Sequence, residues 1–167
     1  MDKTFSYQLI AGIDLVLRRF LIILMALIVL AVTWQVFTRF IIRDPSSYTE
    51  ELARFLLIWI GILGAAYALR TRAHLGIDLI AQRVGEKDRK RIQVTVYSTV
   101  IFFAFFVMVV GGIRLVNITF SLNQISAAMG IRMGYIYTVL PLSGILMIIY
   151  SLLLMFDSSE QPAVEGE

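Results

Sequence analysis

Four stretches of the chain carry no Asp, Glu, Lys or Arg: Phe20 to Thr38, Phe55 to Leu69, Ile92 to Ile113 and Met133 to Phe156. A helix needs about 20 apolar residues to cross the hydrocarbon of a bilayer, and three of the four stretches reach that length unaided. The second does not. Phe55 to Leu69 would rise only roughly 22 Å against an ~30 Å core, so the charged residues before it, Glu50, Glu51 and Arg54, must be drawn to the lipid boundary. The pattern predicts an all-α membrane protein with transmembrane helices over 20–42, 49–69, 92–116 and 132–156. They form one domain, 1–157, with a basic loop at 70–91. The tail 158–167 is acidic, has no apolar rhythm, and is expected to fray.

Ahead of the first span, Phe5, Leu9, Gly12, Ile13, Val16 and Phe20 recur at helical spacing, whereas Gln8, Asp14, Arg18 and Arg19 are polar. This predicts an amphipathic helix over 1–19 lying along the membrane surface, with Asp14 able to meet Arg18 at i,i+4. A plain extension of the first span satisfies the same periodicity. The first apolar run is longer than a signal-peptide core and lacks a small-residue cleavage site, so it is expected to be retained.

Composition supports the membrane reading: 59% of the 167 residues are hydrophobic and 16% charged, against roughly 25% charged in soluble domains. With four crossings the two termini and the 70–91 loop share one side. That side holds ten basic residues, among them Arg18, Arg19, Arg70, Arg72, Lys90 and Arg91. Both termini are therefore expected in the cytoplasm, with these residues, His74 and Asp78 forming a cytoplasmic membrane anchor on anionic lipid. The net charge of +3 gives no reason to invoke nucleic acid, because the basic residues cluster where topology explains them. The absence of cysteine excludes disulfides, thiolate metal sites and a Cys nucleophile.

Around the second span, at about 100° per residue, Glu50, Arg54, Gly61, Gly64, Ala65 and Ala68 share one flank, and Trp59 and Ala66 lie opposite. Apolar burial does not drive helices together in lipid; close backbone approach at small residues does. Charges also avoid hydrocarbon, so a flank combining both is expected to face another protein. Glu50 and Arg54 are ordered for an i,i+4 ion pair, and "PSSYTEE" offers Ser and Thr caps. The outward connections, "RDPSSY" and "NITFSLNQIS", supply the docking candidates Arg43, Asp44, Ser47, Tyr48, Asn123 and Gln124, and Glu51 just after the first joins them. In the last span Pro141 should bend the helix, and Gly144 should allow close approach, as should Gly111 and Gly112 in the third. "FFAFF" (Phe102 to Phe106) is read as bulky packing or a lipid-facing surface.

The segment "YTEELARFLLIWIGILGAAYALRTRAHLGIDLI", Tyr48 to Ile80, resembles the signature of the small membrane subunit of tripartite ATP-independent periplasmic (TRAP) transporters, the DctQ-type family, in Tyr48, Glu50, Glu51, Arg54, Gly64, Ala65, Arg70, His74 and Asp78. "YIYTVLPLSGILM" resembles that family's last helix, while "AAMGIRMGY" has Gly130 near the place where many members carry a proline. The resemblance implies an accessory subunit in the bacterial inner membrane. Its partners would be a large membrane subunit, which binds substrate with sodium, and a periplasmic substrate-binding protein. It implies an organic acid as cargo, with sialic acid taken first and a dicarboxylate next. No cofactor is expected in this chain, and sodium is expected in the large subunit.

The residues agree with an accessory role, since no span carries an ionisable residue near mid-membrane. Rival classes lack parts. A haem- or quinone-associated membrane anchor would usually need two axial histidines, and His74 is the only one. A small proton-coupled transporter needs a deep carboxylate, whereas Glu50 and Glu51 lie at the edge. An enzyme is least expected, because no catalytic triad, phosphate loop or metal cluster can be assembled.

Overall fold

A computed structural model describes the backbone of residues 3–42, 46–71 and 86–157, and the side chains within 11–42, 46–71 and 91–155. Four helical spans in it are long and apolar enough to cross a membrane: Ala11–Ile42, Ser47–Arg70, Arg91–Ser121 and Met133–Met155. The molecule is a multi-pass membrane protein.

Helix α1 (Lys3–Phe37) runs unbroken and passes into a π-helical turn, Thr38–Ile42. The surface-lying helix expected over 1–19 is thus not a separate element. Between residues 3 and 42 the chain has no proline and a single glycine, Gly12, so nothing interrupts the hydrogen-bond ladder. Its 35 residues rise about 52 Å, well beyond one bilayer core.

Helix α2 spans Ser47–Arg70. Its N-cap is Ser46, in extended conformation, yet no side chain caps the helix; the Thr49 hydroxyl instead donates to the Ser46 carbonyl at 3.0 Å. Helix α3 (Glu86–Phe103) begins inside the segment read as the 70–91 loop, then continues through a π-helical stretch, Ala104–Gly111, into α4 (Gly112–Ser121). Thr95, Thr99 and Thr119 return their hydroxyls to the carbonyls of Arg91, Thr95 and Leu115, which satisfies these groups where no water is at hand.

Pro141 acts as expected. It has no N–H to offer the Tyr137 carbonyl, and the last span is broken at Thr138 into α5 (Met133–Tyr137) and α6 (Val139–Asp157). Leu142 N–H reaches back to the Thr138 carbonyl at 3.3 Å and resumes the ladder.

The spans do not close into a square bundle. Their main contacts place them side by side in the order α1, α2, α6 and then α3 with its π-helical continuation. A row leaves two broad faces open, which is why Ile22, Leu30, Phe40, Leu57, Phe102 and Val107 remain exposed. All four phenylalanines of "FFAFF" are among the exposed side chains, with Ala104 buried between them. In a membrane such surface is solvated by acyl chains. The core lies along the seams, where Leu17, Leu63, Leu69, Tyr97, Val139, Tyr150 and Leu154 form one buried cluster.

The seam between α6 and the continuation of α3 through the π-helical stretch into α4 is close-packed. A Cβ at Gly144 would stand 2.8 Å from Met108 Cβ and 3.2 Å from the Ala104 carbonyl. At Gly112 one would meet Pro141 Cδ at 2.9 Å. Gly111 lacks such a neighbour, so of the Gly-Gly pair only the second makes the close approach.

Candidate partner interface

The division of α2 into two flanks is observed. Phe55, Leu56, Leu63, Ala66 and Leu69 are buried inside the molecule. On the other side Glu50, Arg54, Leu57, Gly61 and Ala65 are exposed, and a Cβ at Gly61 or Gly64 would meet nothing within 4 Å. The helix presents an open groove of small residues to whatever lies beside it. At the N-terminal end of this flank Arg54 Nη2 pairs with Glu50 Oε1 at 3.2 Å, the i,i+4 pair expected from their order.

The buried flank is fastened to the chain's last quarter by polar bonds. Trp59 Nε1–H donates to the Ile136 carbonyl at 3.1 Å, and the Ser143 hydroxyl donates to the Ile62 carbonyl at 2.8 Å. Glu51 does more. Its Oε2 accepts the N–H groups of Ala128 and Met129, both at 2.9 Å, so a carboxylate on α2 holds the connection leading into α5. That connection is compact. Ile125 and Arg132 face each other in an isolated antiparallel bridge, Ser126 N–H reaches the Ile131 carbonyl at 2.8 Å, and Met133 N–H reaches the Gln124 carbonyl at 2.9 Å. Gly130 takes φ +67, a conformation open to glycine at no steric cost. Here is the reason for a glycine where a proline was looked for: a residue with φ fixed near −65° could not make this turn.

Of the docking candidates, Ser47, Tyr48, Asn123 and Gln124 are exposed at the α2 N-terminal end, and Asn123 adopts φ 48. Glu51 stands apart from them as the clamp of the loop. Arg43 and Asp44 lie outside the described residues. Of the anchor candidates, Arg18, Arg19 and Arg91 are exposed. Arg70 is half-buried, and its Nε donates to Asp14 Oδ2 at 3.0 Å. Asp14 therefore pairs across to α2 instead of along its own helix with Arg18; an unbroken α1 lying against α2 brings the two chain-distant charges together. Arg72, His74 and Asp78, the tail 158–167 and the side chain of Lys90 lie outside the described residues.

Glu51 as a clamp was missed by the sequence reading, although a signal existed. On the helical wheel it falls near 100°, beside Leu69 and Phe55 on the buried flank, and not with Glu50. Asp14–Arg70 had no such signal, because its partners are 56 positions apart.

Among known proteins, the profile of the family described as "Tripartite ATP-independent periplasmic transporters, DctQ component" matches residues 28–160. The sialic acid TRAP transporter small permease protein SiaQ of Vibrio cholerae serotype O1 is 38% identical over 66 residues, covering 40% of this chain and 38% of that protein. The sialic acid TRAP transporter permease protein SiaT of Haemophilus influenzae is 32% identical over 114 residues, covering 68% of this chain and 18% of that protein. The matched segments thus span well under half the length of these relatives. A family profile that covers most of the four-span region, together with the arrangement of α2, assigns the chain: it belongs to the family of DctQ components of tripartite ATP-independent periplasmic transporters.

Proposed function

We propose that this chain is the small accessory subunit of a sodium-driven importer of an organic acid in the bacterial inner membrane, with both termini cytoplasmic. Its work is mechanical. It packs beside a large transporting subunit through the Gly61, Gly64, Ala65 and Ala68 flank of α2, and its row of spans widens the assembly's footprint so that one part stays fixed while another moves. Basic residues including Arg18, Arg19 and Arg91 hold the cytoplasmic boundary on anionic lipid, worth ~1 kcal/mol each near the surface. The clamped outer loop, with Asn123 and Gln124 exposed, and Tyr48 beside it meet the periplasmic binding protein. Sodium and substrate belong to the large subunit.

The observation that carries this reading is the open space over Gly61 and Gly64. Small residues on a span allow close helix approach, and among the described residues no helix uses it. The match to SiaT adds support: a segment like this chain makes up 18% of that permease protein, so in that relative it is joined to a much longer polypeptide. Sialic acid is the first choice of cargo because both relatives are sialic acid transporters by name. Co-expression with the large subunit tests the reading. The two should purify together, and Gly61→Leu with Gly64→Leu should separate them; a complex that survives the double substitution would move the interface elsewhere.

A further inference from the structure

At the end of the molecule where α1 begins and α6 ends, three helices bring polar groups into an otherwise apolar seam. Asp14 of α1 and Arg70 of α2 form the ion pair already described, each partner only 26–32% exposed. The second carboxylate oxygen, Asp14 Oδ1, is buried with no hydrogen-bond partner among the described residues, and so is the hydroxyl of Tyr150 on α6. Tyr150 is fully buried, and its hydroxyl faces the Asp14 carboxylate with the Arg70 charge close by. Leu17, Leu69 and Leu154 belong to the same buried cluster as Tyr150 and surround its hydroxyl end of the seam with apolar side chains. A lone acceptor and a lone donor facing each other in low dielectric are each other's natural partner, since leaving either unmade costs its full desolvation.

We infer that Asp14, Arg70 and Tyr150 form a three-helix clasp, the Arg70 guanidinium on one carboxylate oxygen and the Tyr150 hydroxyl on the other, that holds the N-terminal part of α1 upright against the row. The geometry elsewhere makes such a clasp necessary. α1 packs on α2 and α6 packs on α2, while α1 and α6 share no main contact. Between them runs an apolar groove of about 580 Å³, walled by Ile13, Val16 and Phe20 on one side and Leu142 and Leu146 on the other, with Leu63 as its floor. Gly12, which has no side chain to fill the gap, lies at one end of that groove. The amphipathic face of this part of α1 would settle readily into a membrane surface, and the clasp keeps it from doing so. Asp14, Arg70 and Tyr150 are positioning residues for α1.

The chain has no cysteine, so paired spin labels can be placed without background. In the full chain reconstituted in liposomes, labels at Ala11 and Leu152 read the separation of α1 from α6, and labels at Tyr48 and Ala127 serve as a control at the opposite end. The native chain should give one narrow distance distribution for the first pair. Asp14→Ala or Arg70→Ala should broaden it and displace it to longer distance while the control stays narrow. The charge exchange Asp14→Arg with Arg70→Asp should narrow it again, and Tyr150→Phe should broaden it by less than either alanine. A native distribution in Asp14→Ala, or a charge exchange no narrower than the single variants, overturns the clasp. If the charged-residue variants also disturb the control pair, the isosteric Tyr150→Phe decides: broadening of the first pair alone supports the clasp, and an unchanged distribution overturns it.

Discussion

Gly144 and Gly61 are the same residue in spans of similar polarity, and they serve opposite ends. Around Gly144 there is no room for a single methyl, because Met108 and the Ala104 carbonyl already fill it. Around Gly61 there is nothing. The first glycine joins two helices of one chain; the second lies open among the described residues, on the flank proposed to meet the large subunit. In lipid both contacts rest on close approach, since burial of apolar surface offers no gain there. The difference teaches that a small-residue stripe says how near a neighbour can come, and only the surrounding structure says whose neighbour it is.

The comparison breaks first at Gly144. Gly144→Leu should destabilise the folded chain by about 3 kcal/mol through overpacking of the α3–α6 seam, read from unfolding in mixed micelles followed by circular dichroism. An unfolding curve like the native one would mean that the seam yields and is not tight. The opposite substitution sharpens the contrast: Gly61→Leu with Gly64→Leu should leave that unfolding curve within about 0.5 kcal/mol of native, as expected at open positions, while abolishing co-purification with the large subunit. A third test separates the two flanks of α2. Glu51→Gln removes the carboxylate that accepts the Ala128 and Met129 amides, and hydrogen exchange at those two positions should rise roughly tenfold with no effect on Gly61 or Gly64. The smallest effect belongs to Arg54→Gln on the open flank, where loss of an exposed i,i+4 pair should cost about 0.3–0.5 kcal/mol.

The spans could be read in the sequence because charge is so strongly excluded from hydrocarbon that its absence over 20 residues has few other meanings. The two flanks of α2 were legible for the same reason: a helical wheel turns a list of residues into directions. An interruption of the last span was also legible where chemistry dictates it, at Pro141. The row itself was not. Which span lies beside which depends on long-range fits such as Gly144 against Met108 and Gly112 against Pro141, and no local rhythm encodes them. The π-helical stretch Ala104–Gly111 was hidden likewise, since its run of apolar residues suits an α-helix equally well. Asp14 shows the limit most plainly. Local spacing offers it Arg18, four positions away, and the fold gives it Arg70.

Glu51 fastens the connection before α5 to the very rod whose opposite side lies open. A weight set on that connection therefore has a short path: through two amides into one carboxylate, and from there along a 24-residue shaft to its far end.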